Sequence, residues 1–180
     1  MKFMKSILPF IILSFFTLSL NAQEAQFPIV KNFGGIYKID NAVNPDPTTL
    51  YKIVIDLKTL QRDKESVNPG LNNVARMMNL HGLGGVKSGN LKVVVIIHGG
   101  ATDVVLDNEA YQQRYELDNP NLELIDALKT SGAEIYVCGQ SLLARKYVRE
   151  SVNPEIKVGL SMLTTFTTYM HNGFVPLVFD

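Results

Sequence analysis

Cysteine is nearly absent from this chain: Cys138 is the only one in 180 residues. A single thiol excludes an internal disulfide, and with it the cross-linked framework of many small exported domains. Excess charge of one sign is missing too, since 17 Lys and Arg stand against 17 Asp and Glu. That balance offers no basic surface for nucleic acid or an anionic membrane. The common site signatures are also lacking. There is no phosphate loop, no serine in a nucleophile elbow, and no close His/Cys spacing suited to a metal ion. The glycines of "HGLGGVKSG" follow a helix pattern and precede a strand pattern, the reverse of a dinucleotide loop. Neither a cofactor nor a metal is expected.

A long uncharged apolar run occurs only at the N-terminus. "MKFMKSILPFIILSFFTLSLNA" places Lys2 and Lys5 before about 15 apolar or uncharged residues, then small and polar ones. This is the layout of a secretory signal at 1–22, with a cut after Ala22. The run falls short of the roughly 20 residues that a spanning helix prefers, and no stop-transfer pattern follows. An uncleaved anchor is the alternative. With the signal removed, 158 residues remain and 15 basic residues face 17 acidic ones. The expectation is one periplasmic or secreted domain, with no membrane association once the signal is gone.

Residues 23–50 are rich in Pro, Gly and Asn and read as an irregular arm, with one short extended piece at Gly35–Ile39. The compact domain, 51–180, begins at "YKIVIDLK", a β-branched run that predicts the first strand. In "NPGLNNVARMMNLHG", Asn68 is a cap, Pro69 fits the first turn, and Leu71, Val74, Ala75 and Met78 share one helical face. Gly82 should end that helix. "LKVVVII", Leu91 to Ile97, suits a strand covered on both sides. A polar excursion follows, with a short helix around Asn108 to Tyr115. Asn119 and Pro120 repeat the Asn-Pro helix start and Gly132 closes it. "AEIYVCG" then predicts a strand, "QSLLARKYVRE" a helix, "IKVGLSML" a strand, "TTFTTYMHNG" a helix and "FVPLVF" a fifth strand. Strand alternating with helix gives an α/β fold: one three-layer domain with a mostly parallel five-stranded sheet and helices on both faces.

A parallel sheet carries its functional groups at the carboxyl ends of its strands. Those ends read Asp56, then His98-Gly99-Gly100, then Cys138-Gly139-Gln140, then Ser161. His98 and Cys138 therefore share a rim, although 40 residues separate them. Cys138 also opens a helix, whose free N–H groups favour an anion by roughly 0.3–1 kcal/mol. That lowers a thiol by less than about one pKa unit. Three readings stay open for Cys138: a buried inert thiol, a link to another chain, or a reactive site. For His98 the alternative is a tight strand-to-loop turn whose imidazole bonds the backbone.

The stretch from Tyr51 to Phe179, above all "VVIIHGGAT" and "GAEIYVCGQSL", resembles the DsrE/DsrF-like family, and its exported branch in particular. The resemblance implies a five-stranded parallel α/β domain that forms homo-oligomers, as trimers or hexamers. It also implies sulfur carried as a persulfide on a cysteine at the end of the third strand, the position of Cys138. In that chemistry His98 is a proton partner. Gly99, Gly100, Gly139, Gln140 and Ser161 would line the site, and a sulfur donor or acceptor protein, or a small ligand, would be the partner. The alternative function is an oligomeric binding module in which Cys138 only packs.

Overall fold

A computed structural model describes residues 23–180; the expected signal segment lies outside the described residues. The five strands are β1 (Tyr51–Leu57), β2 (Leu91–Ile97), β3 (Glu134–Cys138), β4 (Lys157–Gly159) and β5 (Val175–Phe179). They form one sheet in the order β4-β3-β2-β1-β5, and every neighbouring pair is parallel. The α/β expectation holds, with the sheet wholly rather than mostly parallel.

The helices are α1 (Pro69–Leu83), α2 (Asn108–Tyr115), α3 (Leu122–Thr130), α4 (Gly139–Ala144) and α5 (Met162–His171). Right-handed crossovers that step one way along a sheet leave their helices on one face, and a step back places a helix on the other. The chain steps from β1 through β2 and β3 to β4, then returns past all of them to β5. Residues of α1, α3 and α4 accordingly join one core with Ile53, Ile55, Val93, Val95, Ile135 and Val137. The return helix α5 lies on the opposite face, where Met162, Phe166 and Tyr169 meet Val54, Val94 and Ile96. One helix covers that face, and no residue of it is buried.

Local signals succeed where nothing competes with them. Asn68 caps α1 through its Oδ1, which accepts from Leu71 N at 3.0 Å, and Pro69 occupies the first turn. The second Asn-Pro pair behaves differently from expectation. Helix α3 starts at Leu122, because the Asn119 amide is drawn into the core and donates to the carbonyls of Val104 (3.0 Å) and Leu106 (2.6 Å). Its Oδ1 accepts from Asn121 N, and Asn121 Oδ1 in turn accepts from Asn68 N at 2.7 Å. Buried backbone groups must find partners, and that demand outweighs a local cap.

Three further boundaries shift for tertiary reasons. Helix α1 runs past Gly82 to Leu83; a Cβ at Gly82 would lie 2.6 Å from the Ile29 side chain, so close packing of the arm explains that glycine. Helix α4 stops at Ala144 rather than near Glu150: Lys146 turns left-handed, at φ 60°, and Tyr147 N donates back to Leu142 O. β4 keeps three residues, because Ser161 caps α5 and Met162 starts it. The excursion after β2 begins with a 3-10 segment, Gly99–Val105, most of it buried.

The arm is tied to the body by side-chain amides. Asn79 Oδ1 accepts from Ile29 N (2.9 Å) and Val30 N (2.8 Å), while its Nδ2 donates to the carbonyls of Val30, Phe33 and Gly34. Val30 enters the main core. The extended piece is a single antiparallel bridge between Gln26 and Ile36.

Candidate functional site

The connection after β3 leads to α4 on one face, and the connection after β4 leads to α5 on the other. Adjacent strands whose chains leave in opposite directions open a crevice outside their carboxyl ends, where ligands of open α/β sheets bind. Cys138 is the last residue of β3, paired with Gly159 at the end of β4. It therefore stands at the switch point. An apolar groove of about 320 Å³ begins at the following residue, with Gly139, Gln140, Leu142, Leu143, Val158 and Leu160 among its walls. Larger hollows lie under the arm, away from the strand ends.

The thiol is buried, with Cys138 4% exposed. Burial alone raises a thiol. Here the Ser141 hydroxyl and the backbone N–H groups of Met162, Ser141 and Gln140 outweigh burial and hold Cys138 below its ordinary value. These groups belong to the first turns of α4 and α5, the two connections that diverge beside Cys138.

His98 follows β2, and its Nε2 lies 2.5 Å from Asp56 Oδ1. Alternation along the strands puts Ile97 and Val137 in the main core and Ile96 and Tyr136 against α5. His98 and Cys138, one residue further on, continue the α5 side, as does Asp56 after Val54. The imidazole bonds a carboxylate rather than the backbone. Gly99 adopts φ 53°. Its N–H donates to Ser141 Oγ at 3.3 Å, and its carbonyl accepts from Thr102 Oγ1 (2.8 Å) and Arg145 (2.5 Å). Arg145 folds back, but onto Gly99 and the buried Asp103. Burial pushes Asp103 up; the hydroxyls of Tyr115 and Tyr147 and the charges of Lys64 and Arg145 overcome this and hold it below the usual carboxylate value.

The model of the DsrE/DsrF-like family matches residues 52–179, which span β1 to β5 and include Asp56, His98 and Cys138. This chain belongs to the DsrE/DsrF-like family. Among solved structures it is similar to MTH1491, a protein of unknown function from Methanobacterium thermoautotrophicum, at TM-score 0.52 and 15% identity. That match covers 71% of this chain and 98% of the other, and it concerns the fold. No curated protein matches the chain.

Within this DsrE-like domain the expected site residues take distinct roles. Cys138, Gly139 and Gln140 meet at the switch point, where Gln140 Nε2 donates to Leu160 O at 3.5 Å. A Cβ at Gly139 would sit 2.9 Å from Gly159 O, so this glycine allows α4 to approach β4. Gly100 packs against the backbone of Lys58 and Leu60. Ser161 Oγ accepts from Leu163 N, a helix cap beside the crevice. Sequence reasoning overlooked Asp56 as a partner and Ser141 altogether. The signals were present: one carboxylate inside an apolar strand, and a hydroxyl three residues after a cysteine at a helix start.

Proposed function

We propose that this protein is an exported sulfur carrier that holds sulfane sulfur as a persulfide on Cys138. The reading is carried by the place of Cys138, the last residue of β3 at a topological switch point, in a fold whose family suggests a sulfur-relay role; its thiol is also held below its ordinary value. In the loading step the Cys138 thiolate attacks the terminal sulfur of a persulfide or polysulfide donor. A new S–S bond forms at Cys138, the donor's S–S bond breaks, and the donor leaves as a thiolate. In unloading, an acceptor thiolate attacks the outer sulfur and Cys138 departs as a thiolate, so no outside oxidant or reductant is consumed. Donor groups that favour the thiolate serve both steps, as nucleophile and as leaving group.

Treatment with polysulfide followed by intact-mass measurement tests this. The expected result is a gain of one sulfur atom, removed by dithiothreitol and missing in Cys138→Ser. No gain, or a gain that persists in Cys138→Ser, ends the reading. Export is part of the proposal, and mass analysis of the secreted or periplasmic product should show a chain beginning at Gln23.

Homo-oligomerisation through the α5 side belongs to the same proposal. Helix α5 contains no Asp, Glu, Lys or Arg. Leu160 and Leu163, before and within it, are 74% and 71% exposed. Charge depletion combined with exposed apolar side chains is the composition of an interface core. The burial of Cys138 favours a second reading, a binding module with a packed thiol. Native Cys138 that reacts with a thiol reagent only after unfolding would support that reading over the first.

A further inference from the structure

We infer that Asp56 is a positioning residue that fixes the His98 ring, making the pair the proton-handling dyad of this rim. The inference rests on the reading of Cys138 as an exchanging thiol and adds the group that manages its proton. Asp56 lies next to last on β1, nearly buried in a strand that is otherwise apolar beyond Lys52. A buried carboxylate is costly unless a cation or donors compensate it. Among the described residues no Lys or Arg pairs with Asp56, and its hydrogen-bond partner is His98 Nε2. That contact keeps a proton on Nε2 whether the ring is neutral or charged. Exchange with the rim is then left to Nδ1.

The sheet sets what Nδ1 can serve. Ile97 pairs with Val137 in the β2–β3 ladder, so the next residues, His98 and Cys138, are neighbours across adjacent strands. Both continue the face turned toward α5. His98 N donates to Leu57 O at 3.0 Å, which anchors the residue beside the end of β1. The charged groups around the ring are few. Asp56 holds it; Lys58, beyond β1, pairs with Asp180; Arg145 sits on the Gly99 carbonyl and Asp103; α5 has no Asp, Glu, Lys or Arg, and its His171 stands at the helix end away from Ser161 and Met162. Nδ1 takes the Cys138 proton before attack, directly or through one water, and returns a proton when a thiolate leaves.

Two measurements on the purified protein decide this. Nitrogen NMR of the His98 ring should show the proton on Nε2 with Nδ1 bare at alkaline pH, and a mixture of tautomers in Asp56→Asn. The rate of exchange between Cys138 and a small aromatic disulfide, followed against pH, should fall about 10- to 100-fold near neutrality in Asp56→Asn and in His98→Gln. The double variant should be no slower than His98→Gln alone, because the two residues act as one unit. A wild-type ring protonated on Nδ1 overturns the inference. So does an Asp56→Asn protein that is less stable yet keeps the wild-type pH–rate profile. Should Asp56→Asn not fold, His98→Gln carries the kinetic test. Normal disulfide exchange without persulfide formation sinks the carrier and leaves the dyad standing; the converse result spares the carrier.

Discussion

The two faces of the sheet are built for different purposes. On one, strand residues such as Ile55, Val95 and Val137 meet α1, α3, α4 and the 3-10 segment in a continuous buried core. On the other, the buried apolar cluster is just Val54, Val94 and Ile96, beneath a helix that buries no residue of its own. Asp56, His98 and Cys138 all belong to the thin side. Stability is concentrated where three helices pack, and the titratable groups sit where one helix must cross the whole sheet.

The largest expected effect falls on the thick face. Leu71→Ala removes a fully buried α1 side chain and should cost about 3–4 kcal/mol in urea unfolding. A loss under about 1 kcal/mol would mean that this face does not carry the fold. Next comes Asp103, which clamps the 3-10 segment to Arg145. Its carboxyl is held low in the folded state, so its ionised form stabilises the protein above the unfolded value of about 3.9 and loses that contribution as pH falls through the folded value. Asp103→Asn should cost about 2 kcal/mol near neutrality. The gap to wild type should narrow below about pH 4, which unfolding midpoints at the two pH values will measure.

Smaller effects sharpen the thin side. Removing a donor from the Cys138 sulfur by Ser141→Ala should raise the thiol by about one pKa unit, read from the ultraviolet absorbance of the thiolate. Ser141→Thr should restore it, and an unmoved titration would remove Ser141 from the site. Leu163→Glu, on exposed α5, should change unfolding of the protomer by no more than about 0.5 kcal/mol. Light scattering should nevertheless show a lower mass in solution than for wild type. An unchanged oligomer would leave the exposed side of α5 without a self-association role.

How far the sequence could be read depended on whether a signal was local. Asn68-Pro69 and Asn119-Pro120 look alike in sequence, yet only the first caps a helix, because carbonyls of Val104 and Leu106 claim the Asn119 amide. "QSLLARKYVRE" has a helical pattern throughout, but Lys146 turns left-handed and Arg145 reaches Gly99. At the site, strand-end order placed Cys138 and His98 on one rim. The Asp56 contact was hidden because it joins residues 42 positions apart.

By itself the sequence determined the strand–helix alternation, the buried strands and the position of the lone thiol at a strand end. Those depend on periodicity and on caps that act within a few residues. Only the tertiary structure decided that β4 lies beside β3 while its chain returns over the opposite face. That reversal brings the starts of α4 and α5 together beside Cys138, while the pairing of β1 with β2 sets His98 against Asp56. Contacts between distant segments follow from how strands are ordered, and strand order is fixed by packing the whole sheet at once.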